Sequence, residues 1–240
     1  MMSSMFRRRL INLIKRKAGI YAKKSYSQCG EDLIIRYIFD VLRIERPSYL
    51  DIGAHHPFFL NNTALFYEQG SRGVNVEADP QLIHRFYKER KQDVNLNIGM
   101  ATESGHMDFY VMSARTLSTF SSEEAARYEQ EGGHKIESVI PVQVQTFADV
   151  VNLNFDGGCP DFVSLDVEGL DYEILKSVDF NKYRPHVFCV ETIIFTKNRT
   201  SKDGGSHDEI DDLMLENDYI KYANTNINTI YVNKSSWMGS

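Results

Sequence analysis

The chain has 240 residues, of which 42% are hydrophobic and 25% charged, a size and composition that suit one large α/β domain and exclude an intrinsically disordered protein. Its net charge of −6 is unevenly distributed, because residues 1–24 hold eight arginines and lysines and no acidic residue, which leaves −14 on residues 25–240. An acidic body lacks the basic footprint of a nucleic-acid-binding protein, so we expect no nucleic-acid partner.

Residues 1–24 combine these basic residues with apolar ones at near-helical spacing, among them Phe6, Leu10 and Ile14. The pattern predicts a basic amphipathic helix ahead of a single domain over residues 25–240. The segment lacks the apolar core of a signal peptide, and the chain has no run of ~18 apolar residues that would span a membrane. Two interpretations stay open: weak docking on an anionic membrane face, or a solvated helix that caps the domain.

The predicted elements alternate between helices and strands. Up to residue 144, we predict helices over residues 30–42, 62–70, 80–90 and 121–130, and strands over residues 49–53, 72–77, 94–98, 107–112 and 139–144. Beyond it, we predict strands over residues 162–167 and 186–190, a helix over 171–177, a polar loop over 196–207, a helix over 208–216 and a closing pair of strands over 219–223 and 229–232. Apolar strands between helices indicate a mostly parallel sheet with helices on both faces and a ligand-binding edge at the strands' carboxyl ends.

Acidic residues follow four of these strands: Asp51, Glu77, the pair Asp166 and Glu168, and Glu191. Acids gathered at a ligand-binding edge are costly unless a cation or hydroxyl groups meet them. Structural interpretations also exist, since Asp51 would cap a turn, Glu77 would be a surface acid, and Asp166 with Glu168 would cap the following helix. The pattern therefore predicts either a site for a positively charged ligand or a set of ordinary caps.

Gly53 follows the first strand and gives a ligand room to pass close to the backbone. The turn contains one glycine and no G-x-G-x-x-G pattern, so it does not favour a dinucleotide pyrophosphate. S-adenosylmethionine, which is cationic and carries no phosphate, suits this edge better. Glu77 stands about 24 residues beyond Gly53, which is the usual placement for a ribose-binding acid.

Five stretches of the sequence share their order and spacing with one known family. They are Tyr26-Ser27-Gln28-Cys29-Gly30-Glu31-Asp32, Leu50-Asp51-Ile52-Gly53-Ala54-His55-His56-Pro57, Asn62-Thr63, Gly73-Val74-Asn75-Val76-Glu77-Ala78-Asp79-Pro80 and Ser164-Leu165-Asp166-Val167-Glu168-Gly169-Leu170-Asp171-Tyr172-Glu173. Over about residues 25–195, the chain resembles the FkbM family of methyltransferases.

The resemblance implies a Rossmann-like class I methyltransferase: an α/β fold with a mostly parallel seven-stranded sheet and helices on both faces. To this fold we add the N-terminal helix predicted over residues 1–24 and a substrate-side insert. The resemblance further implies S-adenosylmethionine as donor and methyl transfer to a hydroxyl oxygen, often of a sugar or glycan. The residues expected to bind the donor are Gln28, Asp51, Gly53, Ala54, Asn62, Glu77, Ala78 and Asp166. The turn Gly53-Ala54-His55-His56 departs from the general G-x-G pattern of methyltransferases, so the methionine end of the donor is expected to be held differently.

A sugar hydroxyl is a poor nucleophile, so a general base is expected to help the transfer. The candidates at the sheet edge are Asp166, Glu168, Glu191, His55 and His56. A divalent cation held by the acids is an alternative that we do not favour, and we assign no metal ligand. We also expect Gln28 or Glu31 to face the site from the segment before the first strand.

Two regions are expected to select the acceptor, namely the insert at about 113–138 and the loop 196–207. The rival functions are a nicotinamide-dependent reductase on a similar sheet and a non-catalytic domain that binds the donor or a glycan. The three cysteines, Cys29, Cys159 and Cys189, are odd in number and show no C-x-x-C spacing, which favours a reducing cytoplasm over a disulfide framework or a zinc site.

Overall fold

A computed structural model of the protein describes residues 22–167, 169–192 and 205–240. Most of the predicted N-terminal helix, the candidate base Glu168 and most of the predicted loop 196–207 lie outside the described residues. Among the described residues, no helix combines the length and the apolar character needed to cross a bilayer.

Seven strands form the main sheet in the order β3-β2-β1-β7-β8-β10-β9. The five strands β1, β2, β3, β7 and β8 run parallel, and β10 pairs antiparallel with both β8 and β9. Their bounds are β1 Tyr49–Ile52, β2 Gly73–Val76, β3 Val94–Leu96, β7 Phe162–Leu165, β8 Val187–Glu191, β9 Tyr219–Asn224 and β10 Asn228–Asn233. The prediction of a mostly parallel seven-stranded α/β sheet is thus confirmed.

The described residues contain eight α-helices. They are α1 Glu31–Leu42, α2 Ala64–Glu68, α3 Pro80–Glu89, α4 Ser122–Gly132, α5 Phe147–Asn154, α6 Asp171–Lys176, α7 Gly205–Glu216 and α8 Lys234–Met238. Helices α5 and α8 were not predicted from the sequence, and α7 begins at Gly205, inside the segment predicted as a loop. Helix α5 had a signal, because the side chain of Thr146 caps it by accepting from the Asp149 backbone N–H at 3.1 Å.

The central strands are buried on both faces. Leu50 and Ile52 of β1 belong to one apolar cluster, and Tyr49 belongs to another with Phe39 of α1 and Phe162 of β7. This follows from the alternation of side chains along a strand, which sends neighbouring residues to opposite faces of the sheet. Two helical layers over apolar strands explain why these runs show no polar alternation.

A second sheet lies beside the ligand-binding edge. It consists of β4 Gly99–Met100, β5 Gly105–Met112 and β6 Ile136–Gln145 in the order β4-β6-β5, and a short 3-10 turn and α4 connect β5 to β6. Its apolar residues, among them Phe109 and Phe120, pack in one cluster with Ala78, which directly follows β2 and Glu77. The insert is therefore anchored next to the end of the second strand.

Register places equivalent residues of the three central strands side by side. Ile52 of β1 pairs with Val76 of β2 and with Leu165 of β7. The next residues along the three chains are Gly53, Glu77 and Asp166, so these three positions meet at the same level of the sheet edge. The topology thereby assembles a site from segments more than twenty residues apart in sequence.

Candidate functional site

A cavity of about 230 Å³ opens at the carboxyl ends of the parallel strands. One group of its lining residues is polar: Gln28, His55, Glu77, Arg115, Thr116, Ser118, Asp166 and Glu191. A second group is apolar: Leu82, Ile98, Met100, Phe109, Leu117 and Phe120. The cavity thus offers carboxylates together with an apolar wall suited to a flat ring, as ligand sites at such edges commonly do.

Gly53 is required by the close approach of two strands. Its φ of 77° lies in the left-handed region, and a Cβ added to it would fall 1.7 Å from the carbonyl oxygen of Asp166. The Gly53 backbone N–H donates to the Val76 carbonyl at 3.0 Å. Glycine here lets the first turn lie flat between β2 and β7, with its backbone lining the cavity.

Glu77 is held by the backbone of two neighbouring turns. One carboxylate oxygen accepts from the His55 N–H and the other from the Asp79 N–H, each at 2.8 Å. The side chain is only 6% exposed. Burial raises the pKa of Glu77 to about 7, and the nearby charges of Asp79 and Asp51 act in the same direction. The carboxylate is therefore fixed in position while retaining lone pairs for a ligand hydroxyl.

Asp166 and Glu191 form a carboxyl pair at the ends of the adjacent strands β7 and β8. Both line the cavity, where the Glu191 side chain lies close enough to influence the pKa of Asp166. Burial raises the pKa of Asp166 to about 6. Asp166 therefore ionises within the pH range where enzymes work, beside a second carboxyl group.

Asp171, the first residue of α6, braces the turn that precedes this helix, and among the described residues α6 has no side-chain cap of the kind that the sequence suggested for Asp166 and Glu168. The Asp171 carboxylate accepts from the Val167 N–H at 3.2 Å and from the Gly169 N–H at 3.3 Å, at the start of α6. Burial raises the pKa of Asp171 to about 7. Asp171 therefore braces the turn after β7 and leaves the Asp166 carboxyl group directed to the cavity lining.

The two histidines of the first turn differ in position. His55 lines the cavity in a left-handed backbone conformation, with φ 52°. Burial lowers the pKa of His55, and the charges of His56 and Arg85 add to this effect, so the ring is neutral at neutral pH. His56 does not line the cavity, and its Nδ1 accepts from the N–H groups of Phe58 and Phe59 at 3.1 Å each. His56 thus stabilises a turn.

The segment before α1 crosses the polar side of the cavity. Gln28 lines the cavity, whereas Glu31 is completely buried. The Glu31 carboxylate accepts from the Cys29 N–H at 2.8 Å, the Thr225 hydroxyl at 2.7 Å and the Asn228 amide at 3.1 Å. Of the two residues expected to face the site, Gln28 does so, and Glu31 ties its segment to the turn between β9 and β10.

Three residues expected at the donor lie behind the cavity wall. Asp51 is buried and accepts from the Asn61 amide at 2.9 Å and the Thr63 hydroxyl at 2.7 Å. Asn62 donates to the Ser164 hydroxyl at 3.1 Å, and Ala54 packs in a small apolar cluster under the turn. These side chains support the turn from behind and do not line the cavity.

Arg90 anchors this support, and sequence reasoning missed it. The side chain is fully buried and donates to Asp93 at 2.8 Å, to the Tyr49 hydroxyl at 2.8 Å and to Thr63 at 3.1 Å. Asp93 also accepts from the Asn75 amide at 3.0 Å. The sequence carries no local signal for this network, because an arginine at the end of an exposed helix is ordinarily solvated.

The insert contributes residues that the sequence did not single out individually. The turn over residues 115–118 lines the cavity, and Arg115 forms an ion pair with Asp79 at 2.6 Å and a longer one with Glu137 at 3.4 Å. Asp79 also caps α3 by accepting from the Gln81 N–H at 2.8 Å. Arg115 thus attaches the insert to the loop after Glu77.

The part of the chain that the structure describes contains no cluster of side chains that could bind a metal ion. Within residues 22–167, 169–192 and 205–240, no three histidine, cysteine or acidic side chains converge in a way that could hold an ion. Asp166 and Glu191 are only two acids and do not form such a cluster, and Glu168 lies outside the described residues.

Comparison with known proteins places the sequence in a family. A family model described as the methyltransferase FkbM domain matches residues 51–221, which is more than half of the chain. No sequence among the curated proteins matches this chain.

Three solved structures that this chain resembles in fold have little sequence identity to it. A putative caffeoyl-CoA O-methyltransferase from Staphylococcus aureus shares 8% identity over 96% of this chain and 100% of its own, with a TM-score of 0.47. An O-methyltransferase from Bacillus cereus, in complex with SAH, shares 10% identity over 93% and 90%, with a TM-score of 0.41. A precorrin-6y C5,15-methyltransferase from Geobacter metallireducens GS-15 shares 12% identity over 83% and 87%, with a TM-score of 0.40.

Proposed function

The chain belongs to the FkbM family of methyltransferases, and from this premise we propose that it transfers the methyl group of S-adenosylmethionine to a hydroxyl oxygen of a sugar or glycan. The observation that carries the proposal is the cavity, in which Glu77, Asp166 and Glu191 line one space together with an apolar wall. A cationic nucleoside without phosphate satisfies both kinds of surface at once.

The cavity residues fit such a donor in chemistry and in position. Glu77 would hold the ribose hydroxyls, because its carboxylate is fixed by two backbone N–H groups and lies at the end of β2. Ile98, Met100 and Phe120 would cover the adenine ring. Gln28 and the backbone of Gly53 would contact the methionine end. When bound, S-adenosylmethionine supplies a methyl group that is already activated by its sulfonium.

The protein's task is then to position the acceptor and to remove a proton. We assign the role of general base to the carboxyl pair of Asp166 and Glu191, since both line the cavity at the ends of adjacent strands and burial raises the pKa of Asp166 to about 6. The ionised partner would accept a hydrogen bond from the acceptor hydroxyl, orient it and take its proton as the oxygen becomes a methyl ether. His55, which is neutral, is the second candidate for this role at the same cavity.

Donor binding tests the proposal first. Isothermal calorimetry with S-adenosylmethionine and with S-adenosylhomocysteine is expected to give saturable one-to-one binding, and NADPH is expected to give none. Binding of NADPH in place of the sulfonium donor would favour a reductase and defeat the proposal.

The acceptor class requires a separate experiment. The protein is incubated with isotopically labelled donor and with nucleotide sugars, free glycans or lipid-linked glycans, and products are read by mass spectrometry. Labelled methyl on a sugar hydroxyl is the expected result. Donor binding without transfer to any hydroxyl compound, or transfer to nitrogen or carbon, would contradict the assignment to oxygen.

A further inference from the structure

The loop between β1 and α2 presents two neighbouring exposed apolar side chains, Phe59 and Leu60, of which Leu60 lines the cavity. Phe59 is 59% exposed and Leu60 is 38% exposed. Leu60 also lines the cavity and adopts a φ of 52°, a left-handed conformation that costs a leucine about 1–2 kcal/mol. Strained backbone conformations cluster at functional sites, so a strained and exposed apolar residue beside the cavity indicates that this residue contacts a binding partner.

Basic side chains adjoin this loop. The Lys24 ammonium lies 4.1 Å from the centre of the Tyr26 ring, and that ring packs against the Phe58 ring at 5.8 Å. The Tyr26 carbonyl accepts from the Asn61 N–H at 3.0 Å. The segment that carries Lys24 is therefore bound directly to the loop that carries the exposed apolar residues.

The positive charge extends from this segment along the protein surface. Lys23, Lys24, Arg43 and Arg46 line a wide groove of about 670 Å³, together with the acids Asp40 and Glu45. The four basic residues are exposed. Basic residues outnumber acids in this groove, although the net charge of the chain is −6.

We propose that Phe59, Leu60, Lys23 and Lys24, together called the mouth surface, dock the protein on an anionic phospholipid bilayer. The two apolar side chains would enter the boundary between headgroups and acyl chains, while the lysines would pair with lipid phosphates. The acidic remainder of the chain is repelled by the same bilayer, so the protein binds with its cavity opening towards the lipid. The inference does not depend on methyl transfer.

Vesicle co-sedimentation of the full chain tests the proposal. The protein is expected to sediment with vesicles of phosphatidylcholine that contain ~30% phosphatidylglycerol, a fraction that mimics a charged leaflet, and added salt is expected to weaken this binding. With vesicles of pure phosphatidylcholine, the protein is expected to stay in the supernatant. Phe59→Ser is expected to weaken binding by about tenfold, and each of Lys23→Gln and Lys24→Gln by about fivefold.

Matched controls come from the opposite face of the sheet. Leu153 of α5 is 73% exposed, so Leu153→Ser removes an exposed apolar side chain elsewhere and is the control for Phe59→Ser. The double variant Lys176→Gln, Lys182→Gln removes two exposed lysines and is the control for the lysine variants. These variants are expected to bind vesicles like the parent. Equal weakening by the controls and by Phe59→Ser would overturn the proposal, as would a concentration-dependent dimer, broken by Phe59→Ser, that forms without vesicles.

A fluorescent probe protects the test against misfolded variants. Phe59→Trp is expected to shift its emission to the blue on anionic vesicles and to be quenched by brominated acyl chains, whereas Leu153→Trp is expected to do neither. Loss of the shift on addition of soluble glycerophosphate would indicate a free-phosphate site and overturn docking on lipid. Calorimetry with S-adenosylmethionine on the same samples keeps the outcome separate from the proposed function, since Phe59→Ser leaves the donor contacts in place.

Discussion

Two groups of buried acids sit within one fold, and their surroundings differ. Asp93, on the face of the sheet that carries Tyr49, is paired with the fully buried Arg90 at 2.8 Å. Glu77 and Asp166, at the cavity, have other acids as their electrostatic neighbours: Asp79 and Asp51 for Glu77, and Asp51 for Asp166. The first group is neutralised inside the protein, whereas the second keeps charge repulsion that a cationic ligand would relieve.

The presence or absence of a cationic partner therefore separates structural acids from acids that are candidates for a function. A carboxylate with its own guanidinium stabilises the native structure only as part of a complete network, and removal of one partner is costly. A carboxylate held by backbone N–H groups among other acids is a strained arrangement that is worth keeping only if a ligand completes it. The pKa values express the contrast, since burial raises those of Glu77 and Asp166 into the range of about 6 to 7.

The largest effect is expected at the carboxyl pair. Glu191→Gln should lower the methyl-transfer rate by on the order of 10²–10⁴-fold while leaving the donor Kd within about threefold, because it removes a proton acceptor and keeps the shape. In the parent protein, activity should rise with pH through about 6, as Asp166 ionises. Single-turnover transfer and calorimetry measure both quantities, and an unchanged rate would move the base to His55.

The next largest effect is expected on the stability of the protein, and it concerns the buried pair of Arg90 and Asp93. Arg90→Met should lower the free energy of unfolding by about 3–5 kcal/mol, because it leaves Asp93 buried without its cation. Lys88→Met, on the exposed side of the same helix, serves as the control and should change it by less than about 0.5 kcal/mol. Urea denaturation followed by circular dichroism gives both values. Equal stability of the two variants would refute the contrast between the groups.

Glu77→Gln should weaken donor binding by about 100-fold, through loss of charge-assisted hydrogen bonds to the ribose. In the parent protein, donor affinity should rise with pH through about 7, because ionised Glu77 is the form that accepts those bonds and attracts a cation. Calorimetry at pH 5.5, 7 and 8.5 provides the measurement. Affinity that is flat with pH, together with a mild effect of the substitution, would place the ribose elsewhere.

The smallest effect is the dependence of stability on pH. The pKa of Glu77 is raised in the folded protein from 4.5 to about 7, so its contribution to stability is fully present below about 4.5 and is lost as pH rises through 7. Relative to Glu77→Gln, the parent should therefore lose about 2.5 kcal/mol between pH 5 and pH 8. Thermal unfolding of both proteins across this range checks the sign, and a relative gain in stability with pH would contradict it.

The sequence was sufficient to predict the central strands, because parallel strands buried on both faces appear as uninterrupted apolar runs. β1, β2 and β7 lie within the segments predicted for them. Helix α5 escaped prediction, since its buried residues Val150 and Val151 are β-branched and lower the helical propensity of a short segment.

Strand parity explains why the candidate site was predicted in part. Glu77, Asp166 and Gly53 each follow the last residue of a strand and reach the cavity, whereas Asp51 precedes the last residue of β1. Side chains alternate along a strand, so Asp51 shares the face of Tyr49 and not the cavity. A shift of one position, which lies within the usual error of a predicted strand end, decides between the two roles.

The contribution of the insert could not be predicted residue by residue. Its antiparallel strands β5 and β6 and the turn between β5 and α4 fix where Arg115 reaches the cavity. The sequence gives no register for a hairpin with a long connection, because register depends on cross-strand packing and turn geometry. The sequence therefore indicated the region but not the side chains.

Glu31 bonds to Thr225 and Asn228, partners 194 and 197 positions further along the chain. Because a polypeptide is made from its N-terminal side, the segment that carries Gln28 is synthesised well before the residues that anchor it. Until Thr225 and Asn228 have been made, the polypeptide lacks the two hydrogen bonds that fasten this segment to the rest of the fold.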